Sequence, residues 1–90
     1  MNSKRVYLYK FRGVLCMDDK GDLFVRNSND KFIHINKAHN YDTLKRMWYK
    51  TRLTEIRVEV RFKSYVDQKF LLKHNRYVQE PFKIESVEKY

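Results

Sequence analysis

Cysteine is nearly absent from this 90-residue chain, in which Cys16 is the only one. A single cysteine forms no disulfide within its own chain, and it excludes any zinc site built from several cysteines. Cys16 lies in an apolar run, which favours a buried, unreactive thiol. Residues 1–5 lack the apolar core of a signal peptide. These features predict a reducing, intracellular setting, the cytoplasm.

Glycine, proline and alanine are also scarce, with two, one and one copies. The scarcity of glycine and proline argues against a disordered or low-complexity chain. No apolar stretch approaches the roughly 20 residues that span a bilayer, so no membrane partner is expected. The scarce residues have GC-rich codons, whereas the frequent Lys, Asn, Tyr and Phe have AT-rich ones. This bias is typical of a low-GC bacterium or a phage, and a phage protein would work in the host cytoplasm.

Aromatic side chains and positive charge are abundant. The chain has six Phe, seven Tyr and one Trp, and each can bury about 150–250 Å². Ninety residues therefore suffice for a single compact domain over residues 1–90. The formal net charge is +9 and is spread along the chain. Such a surface attracts polyanions, although the charge also has a simpler use in keeping a small protein soluble.

The N-terminal third predicts a three-stranded antiparallel meander. Residues 4–17 are apolar at both odd and even positions, which indicates a central strand covered on both faces. Gly13 interrupts this strand and predicts a bulge or bend. Shorter strands are expected at 23–26 and 32–36, each after a polar turn.

The middle of the chain predicts one helix and one strand. Asn40 or Asp42 is suited to the helix N-cap. An apolar stripe along the helix is formed by Leu44, Met47, Trp48 and Thr51. The strand at 55–63 alternates strictly, with its even-numbered residues facing inward.

The C-terminal third is ambiguous at 64–81. A helix capped by Ser64 or Asp67 is favoured over a hairpin through residues 74–75. Pro81 ends any helix there, and 82–87 predicts a last strand.

The resulting order, βββ-α-β-(α)-β, predicts an α+β domain with one or two helices packed on an antiparallel sheet. Five-stranded OB barrels share much of this order, including a long bent first strand and a helix between strands three and four. An OB-like barrel is therefore one expectation, and an open sheet with helices on one face is the simpler alternative.

The strongest functional feature is the outer face of the predicted helix. Four basic residues surround Tyr49, and no acid lies between residues 43 and 53. Exposed helices usually mix both signs of charge, so this face suits phosphate groups, with Tyr49 free to stack on a base. The face consists of Lys45, Arg46, Tyr49, Lys50 and Arg52. Cations near a helix C-terminus are also favoured by the helix dipole alone.

The outward row of the following strand extends this basic surface through Arg57, Arg61 and Lys63. Glu55 and Glu59 alternate with them, and cross-strand pairing with a neighbour is the preferred explanation of the row. Lys83, Glu85 and Glu88 are candidates for the pairing strand.

No motif predicts an enzyme, a metal site or a cofactor. The acids are scattered through turns, whereas a Mg²⁺-dependent nuclease needs them clustered. His34 and His39 match no standard zinc spacing. A metal-independent ribonuclease built on His34, Lys37 and Tyr41 is the remaining enzymatic hypothesis.

Aromatics flanked by basic residues complete the functional pattern. They are Tyr7, Tyr9, Tyr49, Tyr65 and Tyr77. The sequence therefore predicts a non-enzymatic protein that binds nucleic acid, preferably single-stranded, through backbone charge and aromatic stacking with low sequence specificity. The alternative is a small inhibitor or adaptor, of phage origin if the codon bias is a guide, that docks on an acidic protein. The oligomeric state is left open.

Overall fold

The computed structural model describes residues 5–51, 54–65, 78 and 82–90. These residues form five strands and one helix. In chain order they are β1 (Tyr7–Met17), β2 (Leu23–Arg26), β3 (Phe32–His34), α1 (Tyr41–Lys50), β4 (Arg57–Ser64) and β5 (Phe82–Lys89).

The strands form one antiparallel sheet in the order β3-β2-β1-β4-β5. The long strand β1 lies at the centre and changes partner along its length. Its first part, residues 7–14, pairs with β4, and residues 14–17 pair with β2. Val14 pairs with both neighbours, so the strand passes from one partner to the other at this residue.

Gly13 is required next to this transition. A Cβ atom at Gly13 would lie 2.3 Å from the carbonyl oxygen of Arg26 and 3.0 Å from a methyl group of Val25. Only a residue without a side chain allows β1 and β2 to approach so closely. The bulge or bend predicted at Gly13 is not seen, because β1 is continuous there and its register with β4 is unbroken; this close approach is the reason for the glycine.

The core lies on one face of the sheet and is closed by the helix. Odd-numbered residues of β1 and even-numbered residues of β4 point into it, among them Phe11, Leu15, Val58 and Val60. From α1, Leu44 is fully buried, and Tyr41, Met47 and Trp48 pack against the same cluster. The apolar stripe predicted for the helix is therefore confirmed.

The other face of β1 is open. Leu8 is 74% exposed, and Lys10 and Arg12 are exposed beside it. The prediction that both faces are covered is wrong, because most even positions of the first half of the strand carry charged side chains. Its central position in the sheet is confirmed.

The meander, the helix and the last two strands are confirmed, with ends that differ by a few residues. Asn40 is the N-cap, but its side chain donates to the carbonyl oxygen of Val87 at 2.9 Å instead of capping the helix. Ser64 is the last residue of β4.

The predicted second helix at 64–81 falls almost entirely outside the described residues. In the described part of the chain the sheet is open, with β3 and β5 at its two edges, and the closed barrel is not found.

Candidate functional site

Helix α1 presents the predicted basic face to solvent. Arg46 and Lys50 are exposed, Tyr49 is 54% exposed, and Arg52 lies outside the described residues. The Lys45 ammonium lies 5.5 Å from the centre of the Tyr41 ring. No described carboxylate forms an ion pair with Lys45, Arg46 or Lys50. Within the described residues, these cations are not neutralised by an ion pair.

The contacts of Leu44 and Tyr41 fix this orientation of the helix. Leu44 anchors the buried side, and the Tyr41 hydroxyl accepts a hydrogen bond from the Leu23 amide at 3.0 Å and donates to Asp22 at 3.4 Å. The Tyr49 hydroxyl reaches the sulfur of Met17 at 3.8 Å. These contacts hold the ring of Tyr49 beside the end of β1.

The basic row on β4 is ion-paired, and the predicted cross-strand pairing is found for Lys63, whereas Arg57 and Arg61 pair with acids two residues away on their own segment. Lys63 lies 2.8 Å from Glu85 on β5, and Arg61 lies 3.1 Å from Glu59. Arg57 is 3.8 Å from Glu55, with both side chains two-thirds exposed. Arg61 and Lys63 are thus held by carboxylates of the sheet, whereas the pair of Arg57 is long and open to water.

Glu59 also receives a hydrogen bond from Arg12 on β1, again at 3.1 Å. The bond from Arg12, supported by the one from Arg61, lowers the pKa of Glu59. Glu85 likewise raises the pKa of Lys63. Both pairs therefore stay charged near neutral pH and join neighbouring strands.

A groove that the sequence did not predict runs past the second half of β1. Its apolar part, about 520 Å³, lies between β1 and the end of α1 and includes Trp48 and Tyr49 in its walls. Its basic part, about 420 Å³, is lined by Arg12, Arg26 and Arg57 together with Tyr90. The two parts adjoin, because both are lined by Val14 and Glu55.

The basic part of the groove is created by strand pairing. Val14 is the register partner of Arg26 on β2 and of Arg57 on β4, so these two arginines lie on either side of it. The Arg12 guanidinium lies 4.3 Å from the centre of the Tyr90 ring. Three arginines that are distant in the chain thus converge on one groove.

The structure brings together only some of the predicted site residues. Tyr49 and Arg57 line adjoining parts of the groove. Arg61 and Lys63 lie four and six residues farther along β4, about 13 and 20 Å from Arg57.

The groove residues outside the predicted site include Arg12, Arg26, Trp48 and Tyr90. Trp48 was assigned only to the core, although it serves both surfaces. The interruption at Gly13 was the one sequence signal pointing to this region.

Two of the three residues of the hypothetical ribonuclease set share a depression, and the third touches its edge through Asp22. His34 and Lys37 line one shallow depression, but Tyr41 is not part of it, and its hydroxyl is engaged by Leu23 and Asp22. His34 packs instead against the rings of Phe24 and Phe32. Within the described ranges, no three His, Cys, Asp or Glu side chains are grouped closely enough to hold a metal ion.

Cys16 is half-buried, and burial raises the pKa of its thiol. The thiol lies 3.5 Å from the carbonyl oxygen of Val14. A raised pKa reduces the thiolate fraction near neutral pH, but the thiol is half-buried in the groove wall and not buried as the sequence predicted.

Comparison with protein-family models, curated proteins and solved structures found no match to this chain. Among the residues that the structure describes, no helix has the length and apolar character needed to cross a membrane. A functional assignment therefore depends on this chain's own side chains.

Proposed function

We propose that this protein binds nucleic acid without catalysing a reaction, through phosphate contacts and aromatic stacking and with low sequence specificity. The observation that carries the proposal is the outer face of α1. Tyr49 is more than half exposed there between Arg46 and Lys50, and no described carboxylate neutralises these cations. Unpaired cations release counterions from phosphates, and an exposed ring stacks on any base.

The test is binding of a labelled oligonucleotide at about 50 mM salt. The helix triple variant Lys45→Glu, Arg46→Glu and Lys50→Glu should abolish binding while the domain stays folded. A matched triple variant, Lys10→Glu, Lys20→Glu and Lys83→Glu, changes the net charge equally at exposed sites elsewhere. It should lose much less affinity, because its three changes lie away from the helix face that contacts the phosphates.

Absence of oligonucleotide binding by the wild type at this salt concentration would refute the proposal. Equal losses in the two triple variants would show that only net charge matters. Labelled RNA should remain intact during the assay, and cleavage that His34→Ala removes would support a ribonuclease instead.

One observation favours the second candidate, a small inhibitor or adaptor that docks on an acidic protein. Val6 and Leu8 are 46% and 74% exposed near one end of β1. Exposed apolar side chains beside basic ones are common where proteins contact each other. This candidate predicts stoichiometric capture of one acidic protein that Leu8→Asp abolishes and an oligonucleotide does not displace.

A further inference from the structure

We propose that the groove beside the second half of β1 holds a short single-stranded segment, with bases at Trp48 and Tyr49 and phosphates at Arg26 and Arg57. This inference rests on the proposed function. In it, the bound strand leaves the helix face and follows the groove. One end of the groove contacts bases, and the other end contacts phosphates.

The groove has a suitable length. Its apolar and basic parts share Val14 and Glu55, so a chain can pass from one to the other without leaving the surface. From Arg12 to Cys16, β1 advances four residues, or about 13 Å. This distance matches about four nucleotides at the 3.4 Å rise of a stacked strand.

The apolar end suits bases. Trp48 packs partly on the core and partly lines the groove, so its ring is held in place before any ligand arrives. Tyr49 stands next to it, with its hydroxyl held at Met17. Val14, Cys16 and Ile56 add apolar side chains to this end, and Glu55, shared with the basic end, disfavours phosphates there.

The basic end suits phosphates. Arg26 and Arg57 flank Val14 on neighbouring strands, so their backbones are about 10 Å apart. No described carboxylate pairs with Arg26. Among the described carboxylates, Arg57 pairs with Glu55 alone, in an exposed contact at 3.8 Å of a type that contributes little in water. A guanidinium binds phosphate with two parallel hydrogen bonds, so both arginines gain by exchanging water for phosphate.

Arg12 has a supporting task. Its guanidinium is held by Glu59 and lies over the Tyr90 ring, so it forms a fixed wall of the basic end. Among the described residues that line this part, Glu55 is the one acid, against three arginines, of which Arg12 is paired with Glu59. The basic end therefore keeps a net positive charge.

Charge and shape together select the occupant. A duplex keeps its bases stacked on each other and offers no free ring to Trp48 and Tyr49. An acidic peptide offers carboxylates to the arginines but no planar bases to the apolar end. An unpaired strand satisfies both ends of the groove.

The first experiment compares Arg26→Glu with Lys83→Glu in binding to a labelled oligothymidylate of about eight nucleotides. Both changes reverse one exposed charge. Lys83 lies outside the groove, because it is opposite Lys63 in the β4–β5 register, about 20 Å along β4 from Arg57. Arg26→Glu should weaken binding at least about tenfold and lower the salt slope by about one phosphate contact. Lys83→Glu should change it less than about twofold.

The second experiment tests the apolar end with Tyr49→Ala and Tyr49→Phe. Tyr49→Ala should weaken binding about tenfold, and Tyr49→Phe should retain nearly all of it, because stacking needs the ring and not the hydroxyl. A duplex of matched composition should bind at least about tenfold more weakly than the single strand. Thermal unfolding of each variant confirms that it is folded.

The outcomes separate the two proposals. If the helix triple variant loses binding but Arg26→Glu behaves as Lys83→Glu does, the groove is not the binding site and the proposed function stands. A duplex that binds as tightly as the single strand also overturns the groove. If the wild type binds no oligonucleotide but binds a polyglutamate peptide, both proposals fail and the acidic-protein candidate is favoured.

Discussion

At Gly13 the backbone of β1 lies against the carbonyl group of Arg26, and this contact determines where three arginines meet. The carbonyl is backbone and has no freedom to turn aside as a flexible side chain would. A methyl group at position 13 would push β1 away from β2. The pairing of Val14 with Arg26, which builds the basic end of the groove, depends on that approach.

Gly13→Ala should therefore destabilise the protein. Replacing glycine by alanine usually stabilises by up to about 1 kcal/mol through the unfolded chain, where the native backbone accepts a side chain. Here a contact at 2.3 Å opposes that gain, and overpacking of this kind costs about 1–3 kcal/mol or more. We expect a net loss of about 2 kcal/mol in the free energy of unfolding, measured by urea denaturation.

Gly21 supplies the control. Its φ is +83°, and no atom lies within 4 Å of the position of an added Cβ. Asparagine tolerates this backbone conformation, so Gly21→Asn should cost only a few tenths of a kcal/mol. Gly13→Asn should be at least as damaging as Gly13→Ala. A stability of Gly13→Ala equal to or above that of the wild type would disprove the close approach.

At the scale of elements, β1, β4 and β5 are joined by side-chain ion pairs on the exposed face of the sheet. Glu59 on β4 receives Arg12 from β1 and Arg61 from its own strand, and Lys63 on β4 reaches Glu85 on β5. The pKa values of Glu59 and Glu85 are lowered, chiefly by the hydrogen bonds from Arg12 and Lys63 respectively. Single exposed pairs contribute little, but this set spans three strands.

Because folding lowers the pKa of Glu59 and of Glu85, the stability of the protein should fall in acid. A carboxyl whose pKa is lowered by folding stabilises the fold above its unfolded pKa of about 4.3, and this stabilisation is lost as the pH falls through the lower folded value. Unfolding midpoints in urea should therefore drop as the pH is lowered from about 5. Glu59→Gln should reduce that acid dependence.

Glu88→Gln is the matched control, because Glu88 lies opposite Glu59 on β5 and pairs with no described cation. Removing its charge should leave stability unchanged or raise it slightly, since like charges face each other there. If Glu59→Gln and Glu88→Gln follow the same pH profile, the bridge from Arg12 to Arg61 has no measurable role.

At the scale of the whole molecule, a net charge of +9 acts on folding and on binding in opposite ways. The charges repel one another in the folded state, and dissolved salt screens this repulsion over about 10 Å at 0.1 M. The same salt competes with the protein for phosphates.

Added sodium chloride should therefore raise the melting temperature of the free protein and weaken its binding to an oligonucleotide. Melting is followed by circular dichroism and binding by fluorescence anisotropy over the same salt series. The helix triple variant has six fewer units of positive charge, so its melting temperature should rise less with salt. Affinity that is independent of salt would contradict the phosphate contacts of the proposed function.

The sequence by itself determined the local features of this protein. Strict alternation at Val58, Val60 and Phe62 identified β4 and its buried side, and Leu44 identified the buried stripe of α1. These predictions succeeded because side-chain direction along a strand or helix repeats with a short, fixed period. The exposed, basic face of α1 follows from the same periodicity.

Only the tertiary structure decided which cations are paired and which are available. Arg12 and Glu59 are 47 residues apart in the chain, and their contact depends on the register between two strands. The same register, together with the close approach at Gly13, brings Arg26 and Arg57 to the two sides of Val14. Register is set by packing across the whole sheet, so no local pattern in the sequence contains it. The excess of positive charge was visible in the sequence, but the groove that gathers three of the arginines exists only in the folded chain.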